Sequence, residues 1–216
     1  MKVALINSVC GIGSTGKICV GISKILLQKN VDNRIYYTSG VSRYPLSVKY
    51  SHDWYIKLQA VKSKIIGNYG FNSRIATYRL ISLLKKYNPD IVHIHNIHGH
   101  DCNFEMLLRY LKENNMKVVW TFHDCWPFTG YCTYFTMSGC NKWKTGCSCC
   151  PEYKKSSWFF DKSSLIYNLK KDSFSGMNLT VVTPSEWLAE LVQESFLKHS
   201  RIKVINNGID LETFKP

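Results

Sequence analysis

Short apolar runs alternate with amphipathic segments along most of this chain of 216 residues. Six of the runs have the composition of buried strands, at residues 2–7, 33–38, 90–95, 117–122, 179–182 and 201–205. Segments between them, such as 76–87, carry apolar residues at helical spacing. Because parallel strands need a crossover between them, most often a helix, the alternation predicts an α/β fold. We expect a Rossmann-like, doubly wound parallel sheet with helices on both faces.

Three local predictions accompany this fold. The helix after the first strand is predicted to bury an apolar stripe made of Ile18, Ile22, Ile25 and Leu26. The basic and aromatic region 41–72 is less regular, which predicts a loop with a short helix. A later helix is predicted to have Thr183 as its N-cap, Pro184 in its first position and Glu186 closing a capping box.

The charge balance is strongly basic, with 28 lysines and arginines against 15 acidic residues and a formal net charge of +13. Such an excess attracts anions, whether nucleotides, lipid headgroups or nucleic acid, without selecting among them. The composition is 45% hydrophobic, which is typical of a globular protein rather than a disordered one. The first apolar run ends at Asn7, too early for a secretory signal, and no stretch is long enough to span a bilayer. We expect a cytoplasmic protein with reduced cysteines.

A glycine-rich turn, CGIGSTGK at residues 10–17, follows the first strand. Its sequence fits the P-loop pattern GxxxxGK, but Ile18 occupies the position where a P-loop has the Ser or Thr that binds magnesium. Small residues also let backbone amides at a helix N-terminus approach a phosphate or a sugar. Three interpretations are open: an anion-contacting turn, which we favour, a P-loop, and a tight turn without a ligand. The candidate contacts are Gly13, Ser14, Thr15, Gly16 and Lys17.

Two histidines share one side of a predicted strand, and two polar residues follow its end. His93 and His95 lie at period two, and we favour packing under a helix over a metal pair. Asn96 and His98 lie past the carboxyl end of the strand, where side chains can face a ligand crevice. They are therefore candidate ligand contacts.

The next strand, 117–122, ends in a titratable pair, His123 and Asp124. Ligands of open α/β sheets bind outside the carboxyl ends of strands, so this pair is well placed for chemistry. The carboxylate can raise the pKa of the imidazole or fix its tautomer. We predict that His123 and Asp124 are the catalytic residues, the alternative being a histidine that only positions its loop.

Six cysteines fall within 26 residues, between positions 125 and 150. Four of them have a spacing that suits a metal and ends in CxxC: Cys132, Cys140, Cys147 and Cys150. Four thiolates in tetrahedral geometry favour a structural Zn²⁺, which would stiffen the loop without taking part in chemistry. Disulfides and unbound thiols are the alternatives; Cys149 is a substitute ligand, and Cys125 is predicted not to bind. Three scattered cysteines are predicted to be buried thiols: Cys10, Cys19 and Cys102.

The segment 54–69 mixes aromatic side chains with lysines. This pattern suits a segment that rests on anionic lipid, at the inner face of the plasma membrane. The other interpretation is a solvated, partly packed helix.

Five pieces, taken in order, resemble the N-terminal half of a family 4 glycosyltransferase, one of the two Rossmann-like domains of the GT-B superfold. They are GSTGKI at 13–18, PDIVHIHNIHG at 89–99, TFHDCWPFTGYC at 121–132, TPSEWL at 183–188 and NNGID at 206–210. The resemblance covers essentially the whole chain. The most specific piece, HDCWPFTGYC with its cysteine loop, is similar to a subgroup that builds bacterial surface polysaccharides.

The resemblance implies a retaining transfer of a sugar, of the hexosyltransferase type, from a nucleotide-sugar to an acceptor hydroxyl in a cleft between two domains. It implies that residues 13–16 face the donor phosphates and the acceptor. It also implies that His123 lies beside the transferred sugar and stabilises oxocarbenium-like charge. Four further residues would line the same cleft: Asn96, His98, Ser185 and Asn207. Family members of this type generally need no catalytic metal.

The same resemblance implies a division of the chain. Residues 1–205, with the cysteine loop at 125–151, correspond to the N-terminal domain, and 206–216 resemble the start of an interdomain linker. The C-terminal domain that binds the nucleotide-sugar is expected to be absent, so we expect no appreciable turnover from this chain alone. Cys125 stands where a larger apolar residue is expected, which puts little in doubt.

Partners and alternatives stay open at this level. The acceptor is expected to be a glycan or a lipid-linked oligosaccharide, and no nucleic acid is expected. One alternative is a P-loop phosphotransferase. The other is a basic zinc-binding module that binds nucleic acid or protein.

Overall fold

Seven parallel strands form one sheet in the order β3-β2-β1-β4-β5-β6-β7. The computed structural model of the protein describes residues 1–208. The strands are β1 Lys2–Ile6, β2 Asp32–Tyr37, β3 Ser47–Lys49, β4 Ile91–Ile94, β5 Lys117–Thr121, β6 Leu179–Thr183 and β7 Arg201–Val204. The strand order reverses between β1 and β4, which makes the carboxyl ends of these two strands the topological switch point of the sheet.

Six helices connect the strands and cover both faces of the sheet. They are α1 Gly13–Gln28, α2 Asp53–Ile66, α3 Arg74–Tyr87, α4 Phe104–Glu113, α5 Ser163–Phe174 and α6 Glu186–Glu194. Alternate residues of β1 enter different cores, since Ala4 and Ile6 join one cluster and Val3 and Leu5 the other. Side chains alternate across a strand, so the two clusters lie on opposite faces. The predicted α/β, Rossmann-like fold with helices on both faces is confirmed.

Three local predictions were wrong in whole or in part. In the predicted stripe of α1, Ile22 and Leu26 do pack against one core cluster, but Ile25 is 53% exposed. The fully buried residues of this helix are small ones, Gly16, Cys19 and Ser23. The region 41–72 holds a strand, β3, and a helix of 14 residues, α2, rather than a loop with a short helix. The N-cap of α6 is Ser185, whose hydroxyl accepts from the Leu188 amide, and not Thr183, which belongs to β6.

Residues 125–151 lie between β5 and α5 and form a cysteine loop that contains short 3-10 helices. Aromatic side chains give this loop a core of its own. Phe135 and Trp143 stack with ring centroids 4.7 Å apart, and Phe128 packs edge-on against Trp143 at 5.5 Å. Three cysteines elsewhere in the chain are buried as predicted: Cys10, Cys19 and Cys102.

Within residues 1–208, none of the helices combines the length and the apolar character needed to cross a bilayer.

Candidate functional site

The turns after β1 and β4 meet at the switch point through one buried side chain, Asn7. Its Oδ1 accepts from the Asn96 amide at 3.0 Å, and its Nδ2 donates to the Thr15 hydroxyl at 3.2 Å. The Ser8 amide donates to the Asn96 carbonyl at 2.8 Å. A fully buried amide side chain needs such partners, so Asn7 ties the glycine-rich turn to the loop that follows β4.

A small cavity opens beside this junction, at the carboxyl ends of β4 and β5. Its walls include four of the predicted site residues, Asn96, His98, His123 and Asp124. Trp126 and Pro127, at the start of the cysteine loop, complete one side. The structure therefore brings together the residues predicted after two different strands. Residues 13–17 are not part of the cavity wall, but Thr15 is linked through Asn7 to Asn96, which lines it.

Three histidines form a row that leads into the cavity. The rings of His93 and His95 are 4.2 Å apart, and Nδ1 of His95 lies 3.1 Å from Nε2 of His123. Burial lowers the pKa of His93 to about 4 and that of His95 well below its usual range. Burial also lowers the pKa of His123, although the charge of Asp124 opposes the shift. All three rings are therefore neutral at pH 7.

The proton positions in this row follow from one unpartnered atom. Nε2 of His95 is buried and has no hydrogen-bond partner within residues 1–208. A proton on that atom would be a buried N–H without an acceptor, which costs more than an unpartnered lone pair. We therefore assign the proton of His95 to Nδ1, which donates to Nε2 of His123. Neutral His123 then carries its own proton on Nδ1 and can donate it to a ligand.

Both carboxylate oxygens of Asp124 have partners within the protein. Oδ1 accepts from the Trp126 amide at 2.9 Å, and Oδ2 lies 3.2 Å from Nε2 of His98. Burial by itself would lower the pKa of His98, but the hydrogen bond and the charge of Asp124 outweigh it, and the net pKa is raised. The pair fixes the loop after β4 against the start of the cysteine loop.

A second buried carboxylate, Asp101, lies behind this pair. It accepts from the Thr38 hydroxyl at the end of β2, and it is 5% exposed. Burial raises its pKa to about 6, although the Thr38 hydrogen bond and His98 oppose the shift. Asp101 also helps to raise the pKa of His98. Both carboxylates thus favour the protonated form of the His98 imidazole.

Lys170 of α5 is fully buried and holds the turn at residues 126–130. Its amine donates to the carbonyls of Trp126, Thr129 and Gly130 at 2.7, 3.0 and 3.2 Å. Its Nζ also lies 3.6 Å from the centroid of the Trp126 ring, which is within the range of a cation–π contact. Three acceptors match the three N–H groups of one ammonium, although burial lowers its pKa well below the usual range.

The glycine-rich turn begins α1 without a side-chain cap. Gly13 is the first residue of the helix, and the N-cap residue, Ile12, makes no side-chain hydrogen bond. Gly16 allows close packing, because a Cβ there would lie 3.1 Å from the Val9 side chain and 3.3 Å from its carbonyl. Lys17 is exposed. The amides of the first turn are therefore free to bind an anion.

Ser185 and Asn207 are not in the cavity wall. The Ser185 hydroxyl is already the cap of α6, and Asn207 is exposed after β7. The predicted linker, 206–216, falls partly outside the described residues, since only 206–208 are described.

The four predicted metal ligands, Cys132, Cys140, Cys147 and Cys150, all contribute to the wall of a second small cavity inside the cysteine loop. The Gly130 amide donates to Sγ of Cys147 at 3.3 Å. No cysteine forms a disulfide within residues 1–208, and no group of three or more His, Cys, Asp or Glu side chains there is arranged to hold a metal ion. Zinc binding would require the thiols to move closer together, and it remains a prediction.

Comparison with known proteins adds the family. Residues 26–213, most of the chain, match Glycosyltransferase Family 4. The chain belongs to this family. A protein of Escherichia coli (strain K12), described as a putative colanic acid biosynthesis glycosyl transferase WcaC, is 32% identical to this family member over 145 residues. That alignment covers 63% of this chain and 35% of the E. coli protein, so the chain spans about a third of the length of its relative.

Three residues that shape the candidate site were not predicted from the sequence. His95 was assigned to packing, Asp101 was not singled out, and Lys170 is one of 28 basic residues. A signal existed only for His95, since a histidine at the end of one parallel strand can face a histidine that follows the neighbouring strand. Lys170 gave no signal, because its burial depends on the path of the cysteine loop.

Proposed function

We propose that this chain is the acceptor-side domain of a retaining glycosyltransferase, which transfers a hexosyl group from a nucleotide-sugar to a glycan or lipid-linked acceptor. The observation that carries the proposal is the cavity lined by Asn96, His98 and His123, at the carboxyl ends of β4 and β5 in the sheet of a family 4 member. Ligands of such sheets bind at this place. The name of the E. coli relative supports a role in surface-polysaccharide biosynthesis.

His123 is proposed to meet the transferred sugar. Its Nδ1–H can donate to a sugar hydroxyl, and its neutral ring does not repel the positive charge that develops at the anomeric carbon. Asp124, predicted as catalytic, is better suited to positioning, because both of its oxygens are engaged by Trp126 and His98. The row of histidines behind His123 fixes the orientation of its ring.

The uncapped start of α1 is proposed to bind the donor phosphates. Free amides and the positive end of the helix dipole favour an anion there, and the described turn carries no acidic residue that would compete. Ser14 is exposed beside these amides. We expect no catalytic metal.

Family membership favours this proposal over the two alternatives. A P-loop phosphotransferase needs a lysine that reaches the phosphates and a following Ser or Thr, whereas Lys17 is exposed and Ile18 follows it. A separate zinc module is also disfavoured, because the cysteine loop connects β5 and α5 of the sheet itself.

The test is a transfer assay on the longest natural protein that contains this chain, with a panel of radiolabelled nucleotide-sugars and extracted bacterial membranes as acceptor. We expect label in the acceptor fraction and a loss of about 100-fold in kcat for His123→Ala, the size seen when a transition-state donor is removed. His199→Ala, an exposed histidine after α6, is the matched control. We expect no transfer by the 216-residue chain alone. Equal activity of His123→Ala and the control would refute the role of His123.

A further inference from the structure

The helix α2 turns its apolar side outward. Trp54, Leu58, Val61 and Ile65 are each between 43% and 66% exposed, and their spacing of four, three and four residues places them on one stripe. The fully buried residues of the same helix are polar, Gln59 and Ser63, and Tyr55 packs against the main core. A helix that packs on a protein core normally buries its largest apolar stripe, whereas this stripe has no partner within the described chain.

Three consecutive aromatic residues extend this stripe at the C-terminal end of α2. Trp158, Phe159 and Phe160 are between 50% and 64% exposed. The Trp158 amide donates to the Lys64 carbonyl at 2.7 Å, which fixes the segment to the helix. The aromatic segment and the residue after α2 approach closely at Gly67, where a Cβ would lie 2.9 Å from the Phe160 carbonyl. The stripe and the three aromatic residues together are called the apolar face below.

Lysines border the apolar face on both sides. At 100° per residue, Lys57 and Lys64 fall along one edge of the stripe and Lys62 along the other. Lys64 lies 5.9 Å from the Trp158 ring centroid and Lys162 5.7 Å from that of Phe160. Long basic side chains beside aromatic rings match the boundary between acyl chains and anionic headgroups.

We propose that the apolar face docks this protein on an anionic lipid bilayer. The charge favours lipid over a second copy of the chain, because two copies would bring two lysine borders together in a protein of net charge +13. Three adjacent exposed aromatics and four outward apolar residues can enter the interface while the lysines contact headgroups.

The position of the face also indicates a class of acceptor, an inference that rests on the proposed function. Tyr69, three residues after α2, packs edge-on against Trp126 at 6.2 Å, and Trp126 lines the cavity. Helix α2 is therefore connected to the cavity wall through Tyr69 and Trp126. This connection favours an acceptor that is anchored by a lipid in the docked bilayer.

The test is co-sedimentation of the 216-residue chain with vesicles of phosphatidylcholine alone or with about one third phosphatidylglycerol. We expect binding to the anionic vesicles that weakens with salt. Leu58→Ser/Val61→Ser should lower the partition coefficient at least tenfold, and Lys57→Gln/Lys62→Gln about tenfold at low salt. Trp158→Ser tests the aromatic segment separately.

Matched controls carry the same kinds of substitution away from the apolar face. Ile75→Ser, at a residue 70% exposed on α3, and Lys24→Gln/Lys198→Gln, at exposed lysines, should bind as the unaltered chain does. Circular dichroism verifies folding of each variant. The assay contains no sugar donor, so its failure leaves the transferase proposal untouched, and failed transfer leaves vesicle binding untouched.

Two results would overturn the docking proposal. One is binding by the Leu58→Ser/Val61→Ser variant that equals binding by the Ile75→Ser control. The other is a chain that does not bind anionic vesicles and instead forms a dimer, as measured by light scattering. In that case the Leu58→Ser/Val61→Ser variant would be a monomer. The second result would assign the apolar face to a second copy of the chain.

Discussion

His98 and Asp124 form the pair that joins the loop after β4 to the cysteine loop. The imidazole is half-buried, and its hydrogen bond to Asp124, together with the charges of Asp124 and Asp101, raises its pKa above the ordinary value. A raised pKa in the folded state stabilises the protein fully below the unfolded value, about 6.5. That contribution is lost as the pH rises through the folded pKa.

We therefore predict that His98→Gln lowers the free energy of unfolding by about 1–2 kcal/mol at pH 6 and by less at pH 9. Urea unfolding at both pH values measures the difference. The lowered pKa values of His93, His95 and His123 act in the opposite sense, but they are common to both proteins and cancel. His199→Gln is the control. A penalty that grows with pH would contradict the raised pKa of His98.

At the scale of elements, helix α5 holds the first turn of the cysteine loop through one side chain, Lys170. Its removal leaves the carbonyls of Trp126, Thr129 and Gly130 without their donor. We predict that Lys170→Met lowers the free energy of unfolding by about 3 kcal/mol, as expected when a buried polar group loses its partner. The exposed neighbour Lys171→Met should change it by less than about 0.5 kcal/mol. Equal effects of the two substitutions on urea unfolding would show that Lys170 does not stabilise the first turn of the cysteine loop.

The second element with a testable property is the cysteine loop itself. If its four inward thiols close on zinc, the purified chain carries about one zinc per molecule by mass spectrometry, and a strong chelator lowers its melting temperature. Cys140→Ser should lose the metal, whereas Cys149→Ser should keep it, because Cys149 is exposed and outside the cavity wall. A metal-free chain with full stability would leave the aromatic core, Phe135 and Trp143, as what holds the loop.

In the molecule as a whole, three features are connected by side-chain contacts. The uncapped start of α1, the cavity around His123 and the apolar face are linked through Asn7, Trp126 and Tyr69. Each feature suits a different part of one proposed reaction, namely the donor phosphates, the transferred sugar and a lipid-anchored acceptor. The strong positive charge suits the anionic parts, phosphates and headgroups.

The amino-acid sequence alone is sufficient to predict the fold class and the strand ends that carry the candidate site. Alternating runs specify a parallel sheet, and carboxyl ends of parallel strands share one edge, so Asn96, His98 and His123 could be predicted as neighbours. Local hydrogen bonds were less predictable, since both Thr183 and Ser185 fit an N-cap pattern and only the end of β6 decided between them.

The use of these residues depends on contacts that form only in the folded chain. Periodicity shows that α2 has an apolar side, but not that this side faces outward, because that depends on how the ends of the helix are attached. The contact between His95 and His123 spans 28 residues and depends on β4 and β5 being adjacent. The burial of Lys170 depends on a loop that wraps its amine with three carbonyls, and no local pattern encodes such a path.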